Sequence, residues 1–406
     1  MKKTYKIALF DQKSNVGGGE RYTKKLLENF SNEDHNLKID YFGYSKTINK
    51  NKYKFLNKDI NFYSLKSLEL RTSGILNINK SNKLISFIQD KLKNYTRHLP
   101  SYISGNLKNE MEKKLKNYDV IFFLWPYFLE CPDIKARKVI ILHDLNFKYY
   151  FSGQSTFDLK KINILNKNLI KWVNNSDVIV TSNFMKKEFF KFFPNFNNKI
   201  KVIRMGSFGD LKEMKIYKKY NFLKTPYILC PSSTLGHKNI SNLIKAFINI
   251  KKKNDNIKLI FTGPGTEILN GNNSDNFLEL TDRNNSIFGL GYVSNEEINY
   301  LIKKALVVIN CSLYEPGNGS GLDAWKIGSL VAMSNIASFK EHIKYLDVRA
   351  ELFDPLNPND MAKKISKLIH INKKIRKKNI DHSKLMMKKI EWKLVIKDYI
   401  QFIRNK

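Results

Sequence analysis

Glu315 and Asp323 stand eight residues apart around a loop that carries Gly317, Asn318, Gly319, Ser320 and Gly321. Glycines free backbone N–H groups to face phosphate oxygens, and acids flanking such a loop accept hydrogen bonds from two different sets of sugar hydroxyls. Asp323 falls inside the helix expected to open near Gly321, which makes it a poor helix cap. His237 and Lys238 precede a helical pattern over 240–250, where a lysine adds a point charge to the helix dipole and suits a diphosphate. A solvated lysine is the plain alternative. The turn at 14–20, with Gly17, Gly18 and Gly19, leads from an apolar run into another helical pattern and offers a second anion cradle. It lacks the GxGxxG spacing, so a tight turn explains it equally well. His143-Asp144 closes the apolar run 139–142, a position that borders the ligand crevice of an open parallel sheet.

The elements needed to hold these residues are visible as short apolar, β-branched runs alternating with helical periods. The runs lie at 5–10, 119–125, 138–142, 177–181 and 199–204, and the pattern restarts at 227–230, 258–262, 286–288, 306–310 and 330–333. That alternation is the signature of βαβ units and parallel sheets. It predicts two doubly wound, Rossmann-like α/β domains, 1–205 and 226–385, facing across a cleft and joined by a polar linker at 206–225. The last segment, 386–406, carries Trp392, Val395, Ile396, Tyr399, Ile400 and Ile403 at helical spacing and needs a surface to pack on. Residues 45–117 break the rhythm with 16 Lys or Arg against 5 Asp or Glu and read as a basic insertion. Inside it, Leu84, Ile85, Phe87, Ile88, Leu92 and Tyr95 share one side of an expected helix, a pattern fitting a core-facing helix or one lying on an anionic membrane surface.

Composition narrows the class. At 406 residues with 42% apolar content the chain exceeds the size at which single cores stop growing, about 300 residues. Three cysteines, Cys131, Cys230 and Cys311, have no metal-ligand spacing and read as small core residues in a reducing compartment. No leading segment has the length of a signal peptide, and the most apolar run is too short to span a bilayer, so a cytoplasmic location is expected. The net charge of +34 favours anionic partners, whether phosphorylated substrates, an anionic membrane face or nucleic acid, without choosing among them.

Taken in order along the chain, these motifs resemble the large retaining glycosyltransferase family 4, which includes sucrose synthase-like and mannosyltransferase enzymes and has the GT-B architecture. The resemblance runs through Gly17 to Glu20, His143-Asp144, Arg204 to Gly206, His237-Lys238-Asn239, Gly263-Pro264-Gly265, Tyr292-Val293, Glu315 to Ala324, Glu341 and the Trp392 segment. It implies that Glu315 contacts the donor sugar, Asp323 the ribose and Lys238 the diphosphate. His143 would contact the sugar, Gly18 with Asn318, Gly319 and Ser320 would complete the phosphate cradle, and Tyr292 and Val293 would border the base. Gly19, His237 and Gly263 belong to the same expected donor set.

The chain departs from the family at three places. Asp323 stands where Glu is usual, and Ser232 stands where the family often has an arginine six residues before the phosphate lysine. Gly317 and Gly319 flank Asn318 where an aromatic and a glycine are usual. The implied reaction is transfer of a hexosyl group with retention, from a nucleotide sugar to a glycan or lipid-linked acceptor in cell-surface polysaccharide synthesis. It needs no metal cofactor, and the chain contains no Asp-x-Asp to hold one. The rival reading is a non-catalytic, basic membrane-surface or nucleic-acid-binding protein on the same scaffold. Tyr53, Phe55, Phe62 and Tyr63 do interleave with lysines, yet no RNA-binding signature accompanies them.

Overall fold

The computed structural model describes residues 4–11, 18–32, 36–43, 60–64, 112–126, 131–148, 159–210, 220, 225–254, 256–270 and 286–405. Two parallel sheets organise them. The first has seven strands in the order β3-β2-β1-β4-β5-β6-β7, formed by β1 (Tyr5–Phe10), β2 (Leu37–Gly43), β3 (Ile60–Ser64), β4 (Val120–Phe123), β5 (Arg137–Leu142), β6 (Asp177–Val180) and β7 (Ile200–Val202). The second has six in the order β10-β9-β8-β11-β12-β13, formed by β8 (Tyr227–Pro231), β9 (Lys258–Thr262), β10 (Ile287–Gly289), β11 (Val307–Asn310), β12 (Val331–Ser334) and β13 (Glu351–Phe353). Helices cover both faces, so central strands such as Val120–Phe123 are buried along their whole length and read as continuous apolar runs.

Both strand orders reverse direction at one point, between β1 and β4 in the first sheet and between β8 and β11 in the second. Connections leaving the carboxyl ends of two such neighbours diverge to opposite sides and open a crevice. Three of the chemical motifs follow those strands, the glycine turn after β1, Lys238 after β8 and Glu315 after β11, while His143 follows β5, the strand next to β4.

The final helix, Trp392–Arg404, returns to pack on the first helix, Gly18–Asn32. Trp392 Nε1 donates to the Ser207 carbonyl at 2.8 Å. A Cβ on Gly206 would lie 2.8 Å from the Trp392 ring, so the crossing strand of chain approaches the indole at a distance only glycine permits. At the far end of that helix Arg137 donates to the carbonyls of Phe402 and Ile403, at 3.1 and 2.8 Å, satisfying acceptors that a helix C-terminus leaves open. One apolar cluster runs from the first sheet through Ile203 and Phe208 to Trp325 and the final helix, while a second fills the other face of the second sheet.

Three strands do not follow from the sequence rhythm. β2 buries Asp40, whose carboxylate accepts from Asn61 at 2.8 Å and Tyr118 at 2.6 Å, and this buried acid breaks the apolar signal. β3 lies inside the segment read as an insertion, which therefore contributes the edge strand of the first sheet rather than only interrupting it. β13 is three residues long. The expected helix through Leu84 and Tyr95, the aromatic residues Tyr53 and Phe55, and residues 14–17 of the glycine turn lie outside the described residues.

Candidate functional site

After β8 the chain makes a single 3-10 turn, Gly236–Lys238, and then Asn239 takes a left-handed φ of 59° before the helix Ile240–Lys251. Asn is one of the few residues that tolerates this conformation. Its side-chain amide donates to the carbonyls of Cys311 (3.1 Å) and Pro355 (2.7 Å), which pins the turn against the loop after β11. Leu313 N–H donates to the His237 carbonyl at 2.7 Å and strengthens the same joint. The result is an ion pair: Lys238 Nζ donates to Glu315 Oε1, and the Ser312 hydroxyl donates to the same oxygen at 2.9 Å. Burial, followed by the neighbouring Lys238 charge, pushes the His237 imidazole down to about 4, so it is neutral at pH 7.

The helix Gly319–Ile327 opens two residues earlier than its sequence suggests. Asn318 sits at its N-cap without a side-chain cap hydrogen bond, and its buried amide instead donates to Met333 Sδ at 3.9 Å. A helix start left without a side-chain cap keeps N–H groups available to an anion. Ser320 Oγ accepts from Asn310 Nδ2 at 3.2 Å.

Across the cleft, His143 stacks on Trp125, with ring centroids 3.9 Å apart, and meets the edge of Tyr22 at 4.8 Å. Gly18 and Gly19 open the helix Gly18–Asn32, and a Cβ on Gly18 would meet nothing within 4 Å. The two halves touch beside Glu315. Ser182 Oγ donates to the Pro316 carbonyl at 3.3 Å, and the Tyr314 phenol accepts from the backbone N–H of Leu145, two residues beyond His143. Burial, then the charges of Asp144 and Glu188, raise the Tyr314 phenol far above its usual range.

Gly263 has a φ of +139°, and a Cβ there would lie 2.6 Å from the Ser232 carbonyl oxygen. Its N–H donates to Gly291 O at 2.7 Å, bringing the turn after β9 beside Tyr292, which is half exposed, and Val293, which is partly buried. The turn, the Lys238–Glu315 pair and the start of the Gly319–Ile327 helix all follow carboxyl ends of the second sheet.

Asp323 is placed differently from what the resemblance implies. It is 1% exposed; its Oδ1 accepts from Ser207 Oγ, Phe208 N and Gly209 N at 3.0, 2.8 and 2.9 Å, and its Oδ2 accepts from Arg21 Nη2 at 2.7 Å. With both oxygens so engaged, this carboxylate meets the crossing segment rather than open cleft. Sequence reasoning also missed Arg21, Ser312 and Tyr314, and left Glu341 without a role. Glu341 accepts the first N–H groups of the helix Asn183–Phe192, at 2.8 and 2.6 Å, together with Arg204 at 2.6 Å. An acid that caps a helix in the other half of the chain leaves no local sequence signal.

Residues 213–396 match the family model described as glycosyl transferases group 1. An uncharacterized glycosyltransferase from Methanocaldococcus jannaschii is 29% identical over 194 residues, covering 46% of this chain and 48% of that protein, so the match spans about half the length of the curated relative. Among solved structures, sucrose-phosphate synthase from Thermosynechococcus elongatus aligns with a TM-score of 0.68 at 15% identity, covering 98% of each chain. The Anabaena protein HepE, solved in complex with UDP and glucose, aligns with a TM-score of 0.66 at 14% identity, covering 99% of this chain and 100% of that one. WaaG, a glycosyltransferase involved in lipopolysaccharide biosynthesis, gives 0.65 at 10% identity over 99% and 100%. At these identities the likeness is one of fold, and that fold is GT-B.

Proposed function

We propose that this chain, whose residues 213–396 match the family model of glycosyl transferases group 1, transfers a hexosyl group from a nucleoside diphosphate sugar to a glycan or lipid-linked acceptor, with retention at the anomeric carbon. The observation that carries the reading is the Lys238–Glu315 pair, held beside the Gly319–Ile327 helix start at the point where the second sheet reverses its strand order. Retaining transfer through an oxocarbenium-like state requires charge to be opposed on the leaving diphosphate more than it requires a nucleophile. Lys238 and helix N–H groups supply that opposition from fixed positions, the kind of preorganisation that is often the largest catalytic contribution.

In this reading the diphosphate takes Lys238 from Glu315, which frees the Glu315 carboxylate for the hydroxyls of the donor sugar. His143, fixed by Trp125 and Tyr22, faces the sugar from the other half. Gly18 and Gly19 on one side, and Asn318, Gly319 and Ser320 on the other, cradle the phosphates, while Gly263, Tyr292 and Val293 border the base. Burial and the Lys238 charge keep His237 neutral at pH 7, so Lys238 is the charged member of this pair when the donor arrives. No metal takes part in this mechanism, because Lys238 and the helix starts carry the phosphate charge. Cell-surface polysaccharide synthesis has a precedent on this fold in WaaG, which is involved in lipopolysaccharide biosynthesis, and the net charge of +34 suits work at an anionic membrane face. No helix among the described residues is long and apolar enough to cross a membrane.

A panel of UDP-, GDP- and ADP-sugars, scored for donor hydrolysis and for product in the parent, Glu315→Gln and Lys238→Ala, tests the reading. Loss of both activities in the variants supports it; unchanged turnover in both overturns the site.

A further inference from the structure

The helices whose N-termini flank the donor site, Gly18–Asn32 and Gly319–Ile327, are tied together one turn in from their starts. Arg21 stands three residues after Gly18, Asp323 four after Gly319, and their side chains form a 2.7 Å ion pair, 17% and 1% exposed. The guanidinium also lies over the Phe208 ring, 4.9 Å from its centroid. On the other carboxylate oxygen converge Ser207 Oγ and the N–H groups of Phe208 and Gly209, from the segment that crosses between the two sheets. A single buried carboxylate thus gathers the first helix of one half, the crossover and the phosphate-side helix of the other.

We infer that Asp323, acting through Arg21, is a positioning residue that sets the spacing of the two helix N-termini on either side of the donor diphosphate, instead of a ligand of the ribose. The inference rests on the donor reading above. Each helix start presents about half a positive charge, and its pull on an anion falls away within roughly one turn, so the distance between the two starts governs how well they share one diphosphate. Asp323 has the reach for this task because it is one methylene shorter than Glu, which keeps the carboxylate back against Ser207, Phe208 and Gly209 instead of extending it from the helix. Arg21 meets the carboxylate through Nη2 from beside the glycine pair that opens its helix.

The test is calorimetric binding of inorganic pyrophosphate and of UDP, GDP and ADP to the parent, Asp323→Asn, Arg21→Gln and the double variant, with donor KM and kcat measured alongside. Expected is a loss of about tenfold in affinity, equal for pyrophosphate and for the preferred nucleoside diphosphate, in both single variants. The double variant should lose no more than the weaker single, because the two residues act as one coupled unit. KM should rise while kcat stays within about threefold, and Arg21→Lys should fall between parent and Arg21→Gln because it keeps the charge but not the planar fork. If Asp323→Asn does not fold, the Arg21 variants carry the same comparison. An Asp323→Asn variant that loses nucleoside diphosphate but keeps pyrophosphate, with Arg21→Gln unchanged, makes Asp323 a ribose ligand and overturns the inference. Variants that bind like the parent overturn it as well. A parent that binds none of the nucleoside diphosphates overturns the donor reading itself.

Discussion

The phenols of Tyr22 and Tyr399 share a buried hydrogen bond that joins the first helix to the last. Tyr22 also packs its ring against His143 at 4.8 Å and Trp392 at 5.7 Å, so the final helix supports the His143 side of the cleft from behind. Burial first, then the partner phenol, pushes Tyr22 well above the usual phenol range, and both hydroxyls stay protonated at any working pH. Replacing one of them, Tyr399→Phe, strands the other in an apolar site and should cost about 1–3 kcal/mol. The double variant Tyr22→Phe/Tyr399→Phe should recover most of that loss, since no polar atom is then stranded. Denaturant melts of the three variants check the pattern, and a double variant less stable than either single would contradict it.

Trp392 gives a second test of the same seam. Its indole fills the space beside Gly206, stacks at an angle on Phe208 with centroids 5.8 Å apart and donates to Ser207. Trp392→Ala removes a large buried ring and should cost about 3–5 kcal/mol. Gly206→Ala should reproduce part of that loss from the other side by pushing the ring away. Thermal unfolding followed by tryptophan fluorescence distinguishes the two, because Gly206→Ala retains the indole and shifts its emission.

His342 sets a pH dependence of folding. It is buried in the helix Ala337–Leu346, beside Arg204 and Glu341, and burial first, then the Arg204 charge, hold its imidazole near 4 instead of 6.5. Between those values the unfolded chain takes up a proton that the folded chain refuses, so stability falls as pH drops through this window, by about 3 kcal/mol at the outside. Glu341 has a lowered carboxyl, so its contribution is present above its ordinary value of 4.5 and is lost only below that. The range from 6.5 to 4.5 therefore belongs to histidine, with His237 adding the same sign. Denaturant melts at pH 7, 6 and 5 should show this fall in the parent, and His342→Gln should reduce it, leaving the share that His237 contributes.

How much was legible follows from what writes a local signal. A central parallel strand buried on both faces leaves an uninterrupted apolar run, so 5–10 and 258–262 coincide with β1 and β9. Asp40 hides β2 because the hydrogen bonds that satisfy its buried carboxylate come from Asn61 and Tyr118, elsewhere in the chain. The same logic divides the site. Lys238, Glu315 and the Asn318–Ser320 turn could be named because each sits in a loop whose glycines or helix-start position already imply an anion. Arg21 and Glu341 could not be assigned roles, because each completes its set of partners on the opposite half, at sequence separations of 302 and 158 residues. Asp323 shows the limit from the other side: its spacing from Glu315 suggests a shared ligand, while its partners, contributed by the crossover, give it a different position.

The Lys238–Glu315 pair yields the sharpest prediction about catalysis. Removing the ammonium while keeping the aliphatic stem, Lys238→Met, leaves Glu315 with the Ser312 hydroxyl but takes away the point charge opposing the leaving diphosphate. The loss of one preorganised donor at such a site is about 10²–10³ in kcat. Because the diphosphate contact exists in the bound donor as well as in the transition state, KM should rise too, by a smaller factor. Metal enters the same experiment. If lysine and the helix starts carry the charge, parent turnover is unchanged by EDTA, and adding Mg²⁺ or Mn²⁺ does not rescue Lys238→Met. A parent silenced by EDTA and restored by Mn²⁺ would show that a cation supplies the opposition here assigned to Lys238, and rescue of Lys238→Met by the same ion would place that cation at the diphosphate.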